Sequence, residues 1–203
     1  YNWLAAEAPE LRIHLRRGRR RSHPETRGRI PNCVSIEGRP KSVDAKRRYG
    51  DWEGDTVVSP GRRSGLVTMV ERKSQYLRVR RTTSLKSPPT MRTACRGLSD
   101  LPERLRRTMT FDNGKEFAQH RLLTDRLGLC VYFAKPYASW QRGLNENTNG
   151  LLRQFFPKGT DFARISRRQV ARVESLINER PRKSLGYHTP SEVFAKKRAA
   201  IEV

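Results

Sequence analysis

Three acidic residues carry the chemistry this chain could do. Asp55 stands in Trp52-Glu53-Gly54-Asp55-Thr56-Val57-Val58, an apolar run that reads as a strand. Asp112 ends a second apolar run and is followed by Asn113-Gly114, a turn. Glu146 lies in Asn145-Glu146-Asn147-Thr148-Asn149-Gly150, within a helical stretch. A carboxylate in an apolar strand is costly unless a positive charge pairs with it. A divalent metal would supply that charge, and three converging carboxylates suit two Mg²⁺ ions about 4 Å apart. One such ion activates an attacking water or 3′-hydroxyl, and the other stabilises the leaving oxygen. Hard oxygen ligands with open positions are what Mg²⁺ takes. Each signal is weak alone, because Asp-Asn-Gly is usually only a turn and a Glu on a polar helix face is usually solvated. Glu53 shares the strand face of Asp55 and is a rival ligand. Asp55, flanked by Val57 and Val58, is favoured over it.

The acids stand out because the rest of the chain is basic. Its 203 residues hold 43 Lys and Arg against 20 Asp and Glu, a net charge of +23. Such a balance speaks to partners: DNA, RNA or an anionic membrane surface. Apolar runs such as Leu129 to Ala134 are too short to span a bilayer, and no secretory signal is visible, so no membrane partner is expected. Cys33, Cys95 and Cys130 are scattered, odd in number and without a Cys-x-x-Cys pair, which excludes a disulfide framework. They read as isolated buried thiols in a reducing cytosol. His14, His23, His120 and His188 lack ligand spacing. The chain starts at Tyr1 rather than Met, which reads as a piece of a longer polypeptide.

The elements that must position the acids follow from periodicity. Leu4 to Leu15 reads as a short helix, and Arg16 to Pro40, rich in Arg, Gly, Pro and Ser, as an extended and flexible arm. Trp52–Val58, Gly65–Glu71 and Gln75–Thr82 read as an antiparallel meander. Thr90–Asp100 reads as a helix weakened by Pro88, Pro89 and Gly97. Arg107–Phe111 is a fourth strand, Lys115–Leu127 a helix stopped at Gly128, and Leu129–Phe133 a fifth strand. Trp140–Phe156 reads as a long helix. On it, Trp140, Leu144, Leu151 and Phe155 form the face that meets the sheet, and Arg142, Glu146, Asn149, Gly150 and Arg153 form a polar face. Ser166–Asn178 follows, and Thr189-Pro190-Ser191-Glu192 caps a last helix. A meander followed by helix-separated strands gives an α/β fold, a mixed sheet flanked by helices. If the fourth strand runs parallel beside the first, Asp55 and Asp112 become neighbours.

Longer motifs then carry a resemblance. They are Gly50-Asp51-Trp52-Glu53-Gly54-Asp55, Val70-Glu71-Arg72-Lys73-Ser74 and Thr110-Phe111-Asp112-Asn113-Gly114-Lys115-Glu116-Phe117-Ala118. To these add Trp140-Gln141-Arg142-Gly143, Asn145 through Gln154, Pro157-Lys158-Gly159-Thr160-Asp161 and Asn178 through Tyr187. Across roughly residues 27–194 the chain resembles the insertion sequence 30 family of bacterial transposases. The resemblance implies an integrase-type DDE catalytic core: a ribonuclease H-like fold with a five-stranded mixed sheet. It implies Asp55, Asp112 and Glu146 as catalytic and metal-holding residues, two Mg²⁺ ions with Mn²⁺ as a substitute, and hydrolysis at the ends of a mobile element followed by strand transfer. It further implies double-stranded DNA, both element ends and target, as partner, a homo-oligomer in the active complex, and a place in the bacterial cytoplasm at the nucleoid. The helix-turn-helix region that chooses the site in this family would precede Tyr1. One departure concerns Ser84 to Leu101, which the family makes Ala- and Leu-rich.

The division expected is a basic extension at 1–48, a catalytic core at 49–161 and a C-terminal helical part at 162–203. Arg19, Arg20 and Arg21 in the extension, Lys115, Lys135, Arg142, Arg153 and Lys158 near the acids, and Arg182 and Lys183 near the C-terminus are the candidate DNA-binding residues. Tyr137 and Trp140 could stack on a splayed base, although the helical spacing of Trp140 with Leu144 and Leu151 reads as core. A non-catalytic, decayed DNA-binding remnant stays open as the alternative. A related nuclease of the same fold is disfavoured by the run from Trp140 to Asp161.

Overall fold

The structure, a computed structural model, describes residues 30–136 and 138–202. The expected helix at Leu4–Leu15, the arginines Arg19, Arg20 and Arg21, and Tyr137 lie outside the described residues. A five-stranded sheet is flanked by helices on both faces, as expected. Its strands are β1 (Asp51–Val58), β2 (Gly65–Glu71), β3 (Leu77–Thr82), β4 (Thr108–Phe111) and β5 (Cys130–Phe133), in spatial order β3-β2-β1-β4-β5. β1 pairs antiparallel with β2 and β2 with β3, whereas β1 and β4, and β4 and β5, run parallel. β1 is therefore central, and β4 lies beside it as the two-aspartate reading requires.

Alternation along β1 sends Trp52 to one face and Val57 to the other. On the first face Trp52, Val67, Met69, Met109 and Phe111 pack with Met91, Ala94 and Leu98 from α2 (Ser87–Leu98) and Leu123 and Leu127 from α3 (Arg121–Leu127). On the second, Val57, Leu66, Val70, Leu77 and Val79 meet Leu152 of α4 (Gly143–Phe155) and Val170, Val173 and Ile177 of α5 (Arg167–Asn178). Phe194 of α6 (Pro190–Glu202) stacks on Tyr76 with ring centroids 4.5 Å apart. Ser166 and Gln169 form a capping box at the start of α5, and Thr189 and Glu192 exchange the equivalent pair of bonds at α6.

Several sequence expectations change. Pro88 and Pro89 do not weaken their helix: α2 begins at Ser87 and places both prolines in its first turn, where no N–H bond is required. Gly97 belongs there too, because a Cβ on it would fall 2.4 Å from Met69 Cε across the helix–sheet contact. The single helix expected over Lys115–Leu127 is split into a 3₁₀ turn at Lys115–Phe117 and α3. Phe117 turns inward to stack on Phe111 at 4.1 Å, and Gln119 N donates to Ser87 Oγ at 2.7 Å instead of continuing a helix.

The third change concerns residues 30–48, whose first part reads from composition as a flexible arm. Ile30, Ile36, Arg39 and Val43 are buried, Val43 within the one-turn helix α1 (Lys41–Asp44). Phe133 N donates to Val34 O at 2.9 Å, and Ser35 bridges to Phe133, so this segment extends the β5 edge. Arg39 donates to Thr110 Oγ1 at 2.8 Å and pairs with Asp44. Of the three thiols expected to be buried, only Cys95 is; Cys33 and Cys130 are exposed.

Candidate active site

Asp55 sits in the middle of β1 and Asp112 one residue past the end of β4, so the parallel register brings them to the same region of the sheet. On the opposite face of β1, Gly54 leaves room for the Phe111 ring, since a Cβ there would stand 2.1 Å from Phe111 Cε1. Asp55 accepts from Thr56 N at 2.8 Å and from Asn149 Nδ2 at 3.1 Å. Asp112 accepts from Gly114 N at 3.0 Å, while Asn113 Nδ2 reaches Ala134 O at 2.7 Å and ties the turn to the strand end beside it.

Arg142 stands between the aspartates. Its Nη1 lies 3.5 Å from Asp55 Oδ2 and its Nη2 lies 3.5 Å from Asp112 Oδ2. Both are long for a charge-assisted hydrogen bond, which favours about 2.7–2.9 Å. Arg142 is itself buried, and its Nε has no partner among the described residues. Burial pushes the Asp55 carboxyl up to about 6. Arg142 pulls it down, whereas Asp112 and Glu116 push it further up. Glu116, which accepts from Thr56 Oγ1 at 3.0 Å, is a further acid beside Asp55 that sequence reasoning left out of the site. It lies only four residues after Asp112 in the same motif.

Glu146 is in the first turn of α4 but faces solvent, and among the described residues it has no hydrogen-bond or ion-pair partner. The helix is turned relative to the sequence expectation. Asn145, Thr148 and Leu152 are its buried residues, while Trp140, in the 3₁₀ turn Ser139–Arg142 before it, and Phe155 are exposed, Trp140 at 74%. The reason lies in the sheet beneath. There β1 and β2 present Glu53, Asp55 and Thr68, polar groups that need partners when buried. Asn149 answers two of them, Asp55 and Thr68. Asn145 N donates to Glu53 Oε2 at 3.2 Å. Helical period places Asn149 on the polar face with Glu146, but an uncharged Asn gives no reason to name it a site residue.

The rival carboxylate, Glu53, is fully buried and engaged elsewhere. It forms an ion pair with Arg72, and burial raises its pKa and lowers that of Arg72.

The candidate DNA-binding residues divide. Lys115 and Lys158 are exposed, and Lys135 is half-exposed and paired with Glu37. Arg142 is taken up by the aspartates. Arg153 points at carbonyls of Val58, Phe156 and Pro157, at 3.4–3.5 Å. Arg182 is half-buried, its pKa lowered by burial and by Arg180, and Lys183 is exposed.

Among the described residues no three His, Cys, Asp or Glu side chains are gathered as a metal site. Asp55 and Asp112 nonetheless fit a hard divalent ion. They are two carboxylates held toward one cation, at distances where that cation satisfies neither fully. Among the described residues no helix is long and apolar enough to cross a membrane.

No family model matches the chain. It is 40% identical over 202 residues to the transposase for insertion sequence element IS4351 of Bacteroides fragilis, covering 96% of this chain and 62% of that protein. It is 40% identical over 184 residues to transposase InsI for insertion sequence element IS30A of Escherichia coli K12, covering 90% of this chain and 48% of that one. The chain thus spans about half to three-fifths of the length of these relatives. Among solved structures it is similar to the catalytic core domain of BIV integrase, with a TM-score of 0.58, 16% identity, and coverage of 76% of this chain and 99% of that one. At that identity the likeness establishes the fold, which is ribonuclease H-like with a five-stranded mixed sheet.

Proposed function

The chain belongs to the insertion sequence 30 family of transposases, and from that premise we propose that it is the catalytic region of a DNA transposase, cutting at the ends of a mobile element and joining them to target DNA. The observation that carries this reading is the meeting of Asp55 and Asp112, from adjacent parallel strands, on one guanidinium. Asp55, Asp112 and Glu146 would hold Mg²⁺, or Mn²⁺ in its place. A bound ion supplies activation of water or a 3′-hydroxyl and charge stabilisation at the leaving oxygen.

The chain's own residues prepare that chemistry. Thr56 N and Asn149 fix one oxygen of Asp55 each, so its carboxylate is oriented before any ligand arrives. Arg142 places positive charge where an anionic phosphate must approach two carboxylates. Lys115 and Lys158 offer further charge to the backbone, and the exposed indole of Trp140 offers a stacking surface. Glu146 lies one turn before Asn149 on α4 and completes the set when its side chain turns from solvent toward the aspartates. Double-stranded DNA is the substrate, a homo-oligomer holds two ends together, and the work is done in the cytoplasm at the nucleoid.

One observation favours a second reading, a DNA-binding remnant without chemistry: Glu146 stands outside the aspartate pair. A cutting assay decides between them. Full-length protein in Mg²⁺ is expected to nick duplex carrying the element's ends, and Asp55→Asn or Glu146→Gln to reduce this at least a hundredfold. Variants that cut as well as the parent would remove the triad assignment, and a parent that binds but never cuts would establish the remnant.

A further inference from the structure

Beside the start of β1, at Asp51, the molecule carries a second charged feature. Arg47, Arg48, Lys73, Arg104, Arg107 and Lys197 line an open cavity of about 570 Å³. They come from four separate places: the approach to β1, the β2–β3 turn, the loop before β4, and α6. Among the described residues no acid lines it. Two buried carboxylates beside it are already satisfied. Asp51 is buried, accepts from Arg48 Nε at 2.7 Å and Nη2 at 3.0 Å, and accepts from Thr108 Oγ1 at 2.8 Å. Glu71 is buried and accepts from Gly50, Lys73 and Ser74. Arg47, Lys73, Arg104, Arg107 and Lys197 therefore have no acidic partner among the described residues.

Five cations concentrated in one hollow repel one another. A folded protein keeps such a group at a cost unless an anion joins it. The geometry also says how that anion is read. Lys73 covers the Tyr49 ring, with Nζ 4.4 Å from its centroid, and donates to Arg47 O at 2.8 Å. The one aromatic ring of the cavity is thus not free to stack on a base, so recognition is of phosphate charge alone. A neighbouring cavity shares Arg104 and Arg107 and adds Arg106 beside one acid, Glu103, so the surface there stays net positive. Asp51 and Asp55 are four residues apart on β1, a rise of about 13 Å, so this hollow is separate from the aspartates.

We propose that the hollow lined by Arg47, Lys73, Arg104, Arg107 and Lys197 is a second, base-independent binding site for the phosphate backbone of double-stranded DNA. It holds a stretch of duplex away from the reacting phosphate. The choice of DNA rests on the transposase reading above.

The test compares two variants of the full chain that lose the same charge. One is Arg104→Ala, Arg107→Ala, Lys197→Ala; the other, on the exposed sides of α2 and α3, is Arg92→Ala, Arg121→Ala, Arg126→Ala. Thermal unfolding first establishes that both fold. Binding of a 30-base-pair duplex of arbitrary sequence is then measured by fluorescence anisotropy across salt concentrations. The hollow variant is expected to lose tenfold or more in affinity at low salt, and its log K against log salt slope to shrink by about 2.7, three contacts at roughly 0.9 each. The control variant is expected to shift far less. Equal losses in the two variants overturn the site while leaving DNA binding intact. A parent that binds no duplex at all removes the DNA reading itself. Titration with inorganic phosphate separates the two sources of the anion: a hollow variant that loses phosphate binding but keeps duplex binding overturns the proposal in favour of a free anion.

Discussion

Asp55 is held in a state that ordinary folding would avoid. Its carboxyl is pushed from the usual 3.8 up to about 6, chiefly by burial, with Asp112 and Glu116 adding to the shift and Arg142 opposing it. A folded-state pKa above the unfolded one means the folded chain binds the proton more tightly. The stability linked to that proton is complete below about pH 4 and is lost as pH rises through about 6. Two pKa units correspond to roughly 3 kcal/mol at most. Asp55→Asn keeps the bond from Thr56 N and removes the charge, so it is expected to stabilise the fold at pH 7 by about 1–3 kcal/mol. The gain should fade below pH 4. Urea unfolding of parent and variant at pH 4 and pH 7 measures this, and a variant equally stable or weaker at pH 7 would show that Arg142 already neutralises the site. The poor solvation of Asp55 was legible in the sequence, since Val57 and Val58 flank it. The pairing was not: Arg142 and Asn149 share a polar face by period, but the turn and helix that carry them lie far off in sequence, and no local pattern says which sheet groups they meet.

The seating of that helix belongs to the scale of elements. Apolar spacing favours a face through Trp140, Leu144, Leu151 and Phe155, yet Trp140 and Phe155 are exposed, Leu144 and Leu151 pack only half-buried, and the helix seats through Asn145, Thr148 and Leu152. The polar groups of the sheet decide the outcome, because an unsatisfied buried carboxylate costs more than a few exposed apolar carbons. The pin is Glu53, which accepts from Asn145 N at the start of α4 and pairs with Arg72 on the turn after β2. Breaking a buried pair from one side leaves an uncompensated charge worth about 3–5 kcal/mol. Arg72→Met is expected to cost that much in chemical unfolding, and Glu53→Gln to cost less, since the amide still accepts from Asn145 N. The double variant is expected to recover part of the Arg72→Met loss. A strictly additive pair would mean that Glu53 and Arg72 act separately and that α4 is seated by packing alone. The strands, the caps of α5 and α6 and the parallel β1–β4 neighbourhood were all legible, because alternation, Ser-x-x-Gln and Thr-x-x-Glu act within a few residues. The prolines of α2 misled because their meaning depends on where the helix starts: the same two residues that break an interior open a first turn.

For the whole molecule, composition is a poor guide to where the folded unit begins. Counting charge places the start of the core near residue 49, since residues 12–48 hold 13 Lys or Arg and only three acids. Ile30, Ile36 and Val43 are too sparse in that run to show a period, yet all three are buried, Ile30 within the core of the first sheet face. Arg39 reaches Thr110 in β4, Val43 O accepts from the same Arg72 that holds Glu53, and Val34 O pairs with the exposed edge of β5. Burial of three aliphatic side chains contributes roughly 1.5–3 kcal/mol each, so their removal costs on the order of 5 kcal/mol or more. A domain of this size holds only about 5–15 kcal/mol in total. A fragment of residues 49–203 is therefore expected to unfold at markedly lower temperature than residues 30–203, or to lose its cooperative transition, and to expose the β5 edge to aggregation. Calorimetry on the two fragments at equal concentration and salt measures the difference. Matching transition temperatures would mean that residues 30–48 lie on the core without stabilising it. A lowered one would make this basic segment the first layer of the folded unit, joined to the aspartates through Thr110 and β4 and to Glu146 through Arg72, Glu53 and α4.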